Sequence, residues 1–410
     1  MMKRKDWDSI SSSLFYYKDV KRLEQPRADK FVQNVGKVRE VKTFPDELAY
    51  TPKWLVAEHR KTRSQSSCLV NNTWIGWEIL IEWIFLTNLF CSINFEQSIM
   101  KGYTFRIKRF IIRISMFMGV IFVYYGSIEA GGTKFVCAIG NEELEILERV
   151  SFPTTTPEET MVAVIDYFKK YQAELASIGV GSFGPIDIHP DSPTYGYITS
   201  TPKLAWQNYD FVGALKAVFD VPIAWTTDVN AAAYGEYYYG HGQGKHSVVY
   251  YTIGTGVGGG AIQDGRFVEG FSHPEMGHML VVPHKDDDFK GACPFHGNCL
   301  EGMAAGPAVE KRLGIKGQDV PADHPYWEQE AYYIAQCAYN TTLMLSPDVI
   351  IFGGGVMKQE HMMERVHRQF KELLKDYVKT PELSEYIVTP KLVDNAATIG
   401  CLAMAKDLLK

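Results

Sequence analysis

The stretch YYGSIEAGGTKFVCAIG, Tyr124 to Gly140, is where this chain first acquires a pattern. Its aromatic and β-branched residues favour extended backbone, and Gly131-Gly132 supplies a tight turn between two such runs. A strand, a glycine turn and a second strand are expected. The same device recurs downstream. SVVYYTIGTGVGGGAIQDGRFVEG places two β-rich runs around Gly254, Gly256, Gly258, Gly259 and Gly260, and DVIIFGGGVM runs a buried strand into Gly353, Gly354 and Gly355. Helical patterns lie between these strands. In TTTPEETMVAVIDYFKKYQ, Thr156 reads as the N-cap, Pro157 as the first helical residue and Glu159 as the partner in a capping box. Met161, Val164, Ile165 and Phe168 then fall on one face. PIAWTTDVNAAAYGEYYYG reads as a strand, a polar break and a helix from near Asn230. HPYWEQEAYYIAQCAYNTTLMLSP reads as a long helix, and AATIGCLAMAKDLLK as a closing helix of small residues. Strands alternating with helices give an α/β body. A glycine turn after a strand near its start, middle and end suggests two related halves around one nucleotide site.

The residues before Tyr124 have no comparable pattern. The 410-residue chain is long enough for two or three domains, and its charge divides unevenly. Up to Tyr125 there are 20 Lys+Arg against 12 Asp+Glu; the rest holds 22 against 36, so the parts carry +8 and −14 of the total −6. An acidic body argues against nucleic-acid binding by that part. Seven irregularly spaced cysteines in a chain without a signal-peptide pattern read as reduced thiols in the cytoplasm. Two apolar stretches, residues 74–95 and 114–125, fail as membrane spans. The first is broken by Glu78 and Glu82, and the second is shorter than the roughly 17 residues a span needs.

Glycine turns hold phosphates because backbone N–H groups can approach closely where there is no Cβ. None of these turns is a P-loop or a dinucleotide fingerprint. Thr133 and Thr255 add hydroxyls beside the glycines. Asp228 falls where a strand gives way to a helix, the place where α/β sites form; taken alone it also reads as a helix cap. HPEMGHMLVVPHKDDDFKGACPFHGNCLEG, His273 to Gly302, gathers four histidines, two cysteines and the flanking Glu275 and Glu301. C-x2-H-x2-C is short enough to wrap one tetrahedral ion.

IEAGGTKFVCAIG, GVGSFGP, TDVNAAAYGE, TIGTGVGGGAIQDGR, EMGH, CPFHGNCLEG, IIFGGGV and AATIGCLAMA together resemble the ROK family of sugar kinases and repressors, over about Gly126 to Lys410, and most closely its bacterial fructokinases. The resemblance implies a two-lobed, actin-like ATPase fold of the ribonuclease H-like kind, with a cleft between lobes. It places one lobe at residues 123–236, to which a helix near 396–410 returns, and the other at 237–395. It implies ATP with Mg2+ against Gly131, Gly132, Thr133, Lys134, Gly254, Thr255, Gly256, Gly353, Gly354 and Gly355, and Glu129 on a magnesium-bound water. It implies Asp228 as the general base, with Thr227, Asp228, Glu275, His278 and Glu301 toward a hexose, best read as fructose. It implies one structural Zn2+ on His278, Cys293, His296 and Cys299, with His284 the rival to His296. Two departures stand out: Glu129 where most relatives have Asp, and Thr227 where most have Asn.

A homodimer is expected, with no nucleic-acid or membrane partner. The alternatives are a kinase for another hexose, such as mannose or glucose, or a sugar-responsive repressor. The repressor requires a compact helix, turn and basic recognition helix, and none is found between Met1 and Arg113. Residues 1–122 remain an extension outside the kinase pattern. Met116 and Met118 stand just before the first kinase strand, where a chain of ordinary kinase length would begin.

Overall fold

The computed structural model describes residues 123–410. The apolar stretches weighed as membrane spans lie outside them, apart from Val123–Tyr125. Among the described residues no helix is long and apolar enough to cross a membrane.

The first sheet is built from β1 (Tyr124–Ala130), β2 (Lys134–Gly140), β3 (Ile146–Pro153) and β4 (Leu175–Ser182). A two-stranded sheet of β5 (Tyr197–Ile198) and β6 (Tyr209–Asp210) follows, then β7 (Ile223–Thr227), which returns to the first sheet. The order is β3-β2-β1-β4-β7, with β1, β4 and β7 parallel. The second sheet contains β8 (Ser247–Ile253), β9 (Val257–Gln263), β10 (Arg266–Phe267), β11 (Val349–Gly353) and β12 (Ile387–Val388), in the order β10-β9-β8-β11-β12. Nine α-helices join these strands among the described residues: α1 (Pro157–Lys169), α2 (Phe211–Lys216), α3 (Asp228–Tyr239), α4 (Leu300–Ala304), α5 (Gly306–Leu313), α6 (Tyr326–Leu345), α7 (Met362–Leu374), α8 (Leu383–Tyr386) and α9 (Ala396–Asp407).

Alternation along β1 decides its packing. Ile128 and Ala130 join Met161, Val164 and Phe168 of α1 in one core, while Tyr125 joins Leu402 and Ala403 of α9 in another. The α1 cap is as expected: Thr156 accepts from Glu159 N–H, and Pro157 opens the helix. The outer face of the second sheet is covered by α6 and α7. Helices α3 and α9 pack on each other, α3 also against β8 and β9, and α9 also against β1 and β4. Small residues permit this closeness. A Cβ on Gly400 would stand 1.8 Å from Ala231 O, one on Gly235 2.2 Å from Ala396 O, and one on Gly179 1.9 Å from Cys401 O. A methyl group at any of these would push backbones apart.

Candidate active site

Register places the site. Glu129 lies opposite Gly181, and Ser182 opposite Thr227, so β1, β4 and β7 end in one row. Helix α3 begins from that row, two residues earlier than the pattern suggested. Thr227 is its N-cap, with Oγ1 accepting from Asn230 N–H at 3.1 Å, and Asp228 is the first helical residue. The cap reading therefore belongs to Thr227, not Asp228, and Thr227 is buried. That frees Asp228, whose Oδ1 accepts from Val229 N–H at 2.8 Å.

The carboxylates feel one another in sequence. Burial pushes Asp228 up to about 6, against the pull of the Val229 N–H. Burial and then Asp228 push Glu129 up to about 7. Burial, Asp228 and Glu301 push Glu275 up to about 7. Desolvation and neighbouring negative charge both favour the protonated acid. Glu129 Oε2 is buried and meets no hydrogen-bond partner among the described residues, so it retains full capacity for a bound metal's water.

The second sheet contributes the remaining turns. Gly254 N–H donates to Gly256 O, and Gly306 N–H, at the start of α5, donates to Gly254 O. Gly354 has φ +90°, with its backbone tight against Ile253, conformations that call for glycine. A Cβ on Gly355 would meet nothing within 4 Å, and one on Gly254 only Gly355 N at 3.7 Å. The second and third glycine turns are thus neighbours facing open space, which fits a polyphosphate. Gly353 is packed against Tyr250 and is less open. Thr133 and Lys134 are exposed at the first turn, as Thr255 is at the second. Lys203, which sequence reading passed over, lies beside Gly132.

Gly277 lets the EMGH turn sit on β9, since a Cβ there would be 1.8 Å from Val257 O. Glu301, in the first turn of α4, accepts from Val257 N–H at 3.1 Å. Glu301 is thereby brought to Gly256 of the second glycine turn, while Glu275 Oε1 lies against Gly184 after β4. His278, Cys293, His296 and Cys299 converge, with all donor atoms within 4.8 Å of one another. Nδ1 of His278 is 3.5 Å from Cys299 Sγ and 3.9 Å from Cys293 Sγ; Nδ1 of His296 is 3.7 Å from Cys293 Sγ. Zn–S near 2.3 Å and Zn–N near 2.0 Å give a tetrahedral edge of about 3.5 Å, so the set fits zinc. His284 is not in this cluster; its Nδ1 accepts from Asp286 N–H. His273 is buried, and its Nε2 accepts from Ile186 N–H at 3.1 Å.

A family model described as "ROK family" matches residues 125–408. The chain is 54% identical to a fructokinase of Streptococcus mutans over 288 residues, 69% of this chain and 98% of the relative. It is 51% identical to a fructokinase of Lactococcus lactis over 70% of this chain and 98% of the relative. In fold it is similar to a ROK hexokinase from Thermus thermophilus, with a TM-score of 0.59 at 24% identity over 70% of this chain and 99% of that one.

Proposed function

We infer the function from one premise: this chain belongs to the ROK family. It is an ATP-dependent hexose kinase that converts D-fructose to D-fructose 6-phosphate. The observation that carries this is its likeness along 98% of the length of the Streptococcus mutans fructokinase.

Phosphoryl transfer asks a protein chiefly to position groups and balance charge. Magnesium, when bound with ATP, would supply neutralisation of phosphate charge. Glu129 is the residue we assign to its water shell, and the first, second and third glycine turns to the phosphates. Asp228 is the general base. Its carboxylate, steadied by the Val229 N–H on Oδ1, takes the proton from the attacking hydroxyl. A carboxyl raised to about 6 is ionised at neutral pH yet basic enough to share that proton. Glu275, His278 and Glu301 fix the sugar, and Thr227 supports Asp228 from the cap position. Polar groups built around one sugar reject another that leaves them unpaired.

We assign one structural zinc to His278, Cys293, His296 and Cys299. Four such ligands would close a zinc ion's shell, so the ion would pin the loop and stay outside the chemistry. With Nδ1 of His278 toward the sulfurs, Nε2 is the nitrogen available to a sugar hydroxyl. We place the protein in the cytoplasm as a homodimer, without nucleic-acid or membrane partners. None of the five cysteines among the described residues forms a disulfide, which accords with a reducing compartment. Coupled ATP turnover on fructose, mannose and glucose tests the assignment. Fructose should give the highest kcat/KM; a higher value for mannose or glucose would replace it as the substrate.

A further inference from the structure

We propose that His273 is a positioning residue that braces Glu275 against the turn after β4, and so sets the sugar-side carboxylate when the cleft is formed. The inference rests on the reading of Glu275 as a sugar contact.

Ile186, in the segment that follows β4, donates its backbone N–H to His273 Nε2 at 3.1 Å in a buried contact. An accepting Nε2 carries no hydrogen, so the neutral ring holds its proton on Nδ1. Burial also lowers the pKa of His273, which favours that neutral ring. Nδ1 lies 3.7 Å from Glu275 Oε1, a separation that a small rotation of the glutamate closes to a hydrogen bond. Catalytic-site bonds of this kind are commonly long before substrate binds and tighten afterwards.

The backbone of the same turn passes close by. A Cβ on Gly184 would be 3.3 Å from His273 Cε1 and 3.4 Å from Glu275 Oε1. The imidazole is thus held at one end by the first lobe's backbone through Nε2, while its other nitrogen lies between its own chain's Pro274 carbonyl and the Glu275 carboxylate. A second tie runs alongside it, with His189 Nε2 2.6 Å from Phe271 O. The loop that carries Glu275 therefore rests on the lobe that carries Asp228. Glu275 needs such a brace. It faces Asp228 and Glu301, whose charges disfavour its ionised form, and its side chain is otherwise half exposed. A buried donor behind it favours the carboxylate and limits its rotamers.

The test is a double-mutant cycle read by fructose binding (tryptophan fluorescence without ATP) and by KM for fructose and for ATP. In His273→Gln the amide oxygen can replace Nε2 toward Ile186, but no donor stands at the Nδ1 position. It should fold normally, raise the fructose Kd and KM about 5- to 10-fold and leave the ATP KM within about twofold. His273→Asn restores a donor near Nδ1 but loses the Ile186 bond. It should recover part of the fructose affinity while lowering the Tm. Glu275→Gln should weaken fructose binding, and His273→Gln/Glu275→Gln should be no weaker than Glu275→Gln alone. Multiplying effects in the double variant, or an unchanged fructose KM in His273→Gln beside a raised one in Glu275→Gln, would overturn the brace. An unchanged fructose KM in Glu275→Gln would instead overturn the sugar-contact reading, and the inference with it.

Discussion

The first sheet runs β3-β2-β1-β4-β7 and the second β10-β9-β8-β11-β12. In each, hairpin-linked antiparallel strands extend from one side of a central strand, and parallel strands from the other. Each central strand ends in a glycine turn. After β1 that turn is flanked by Glu129 and Lys134; after β8 it holds only glycine and Thr255. Each lobe also has its own insertion. Between β4 and β7 lies the small β5–β6 sheet, and after β10 lies the Cys/His loop. A repeated backbone thus supplies a glycine turn twice, while the charged and cysteine-histidine features are added once, in one lobe or the other. Shape is set by strand order; chemistry is set by a few side chains at strand ends and in the insertions.

The comparison can be broken most severely at Asp228, the residue proposed as the base of the first lobe. Asp228→Asn should lower kcat by about 10²–10⁴ and leave fructose Kd within about threefold, measured by coupled turnover and calorimetry. Near-normal kcat would remove the base from the first lobe. The second lobe's insertion is sharpened by Cys299→Ser. It should cut zinc content, measured by elemental analysis, and raise fructose KM about tenfold with little change in ATP KM. Equal losses for both substrates would mean that the loop serves the whole fold.

Glu129→Gln separates charge from geometry at the first turn. Glu129 has a folded pKa near 7, above its unfolded value, so its ionisation is disfavoured by folding and stability is lost as pH rises through 7. The nucleotide-free variant should be more stable than the parent at pH 8, by about 1–3 kcal/mol, and should match it near pH 5. Denaturant melts at both pH values check this, and Mg2+ titration of turnover should show a higher magnesium requirement. The smallest effect is expected from removing Met1–Phe117. Apart from Tyr124, both sheets lie within the residues matched by the family model, and Tyr124 lies after the cut, so kcat should stay within about twofold. A large loss would tie the extension to the two-sheet body.

The glycine turns, the hairpins and the cap of α1 were legible because each depends on neighbours within a few residues. The Cys/His set was legible for the same reason, since three of its four members span seven positions. The start of α3 was misread because Thr227 and Asp228 are both good cap residues. Only the strand register shows which one keeps its backbone extended. His273 carries no role in the sequence pattern. Its partner, Ile186, is 87 positions away, and a main-chain donor leaves no mark in the sequence. Lys203 beside Gly132 was missed on the same grounds.

The crossing of α3 and α9 bears on how the molecule is made. β1 and β4 leave the ribosome early, but the face that holds Tyr125 is covered by Leu402 and Ala403, from the last helix described. Domains that fold during synthesis close N-terminal first. Here the first lobe cannot close in that order, because its cover is translated after the whole of the second. The half-made chain carries an open apolar face for most of its synthesis; the second sheet closes its face under α6 and α7 before α9 is made, while its other face waits for Ala397, Cys401 and Met404 of that same helix. A nascent-chain protease protection assay should find the second sheet's core sheltered while β1 is still cleavable, with protection of β1 arriving only when α9 emerges.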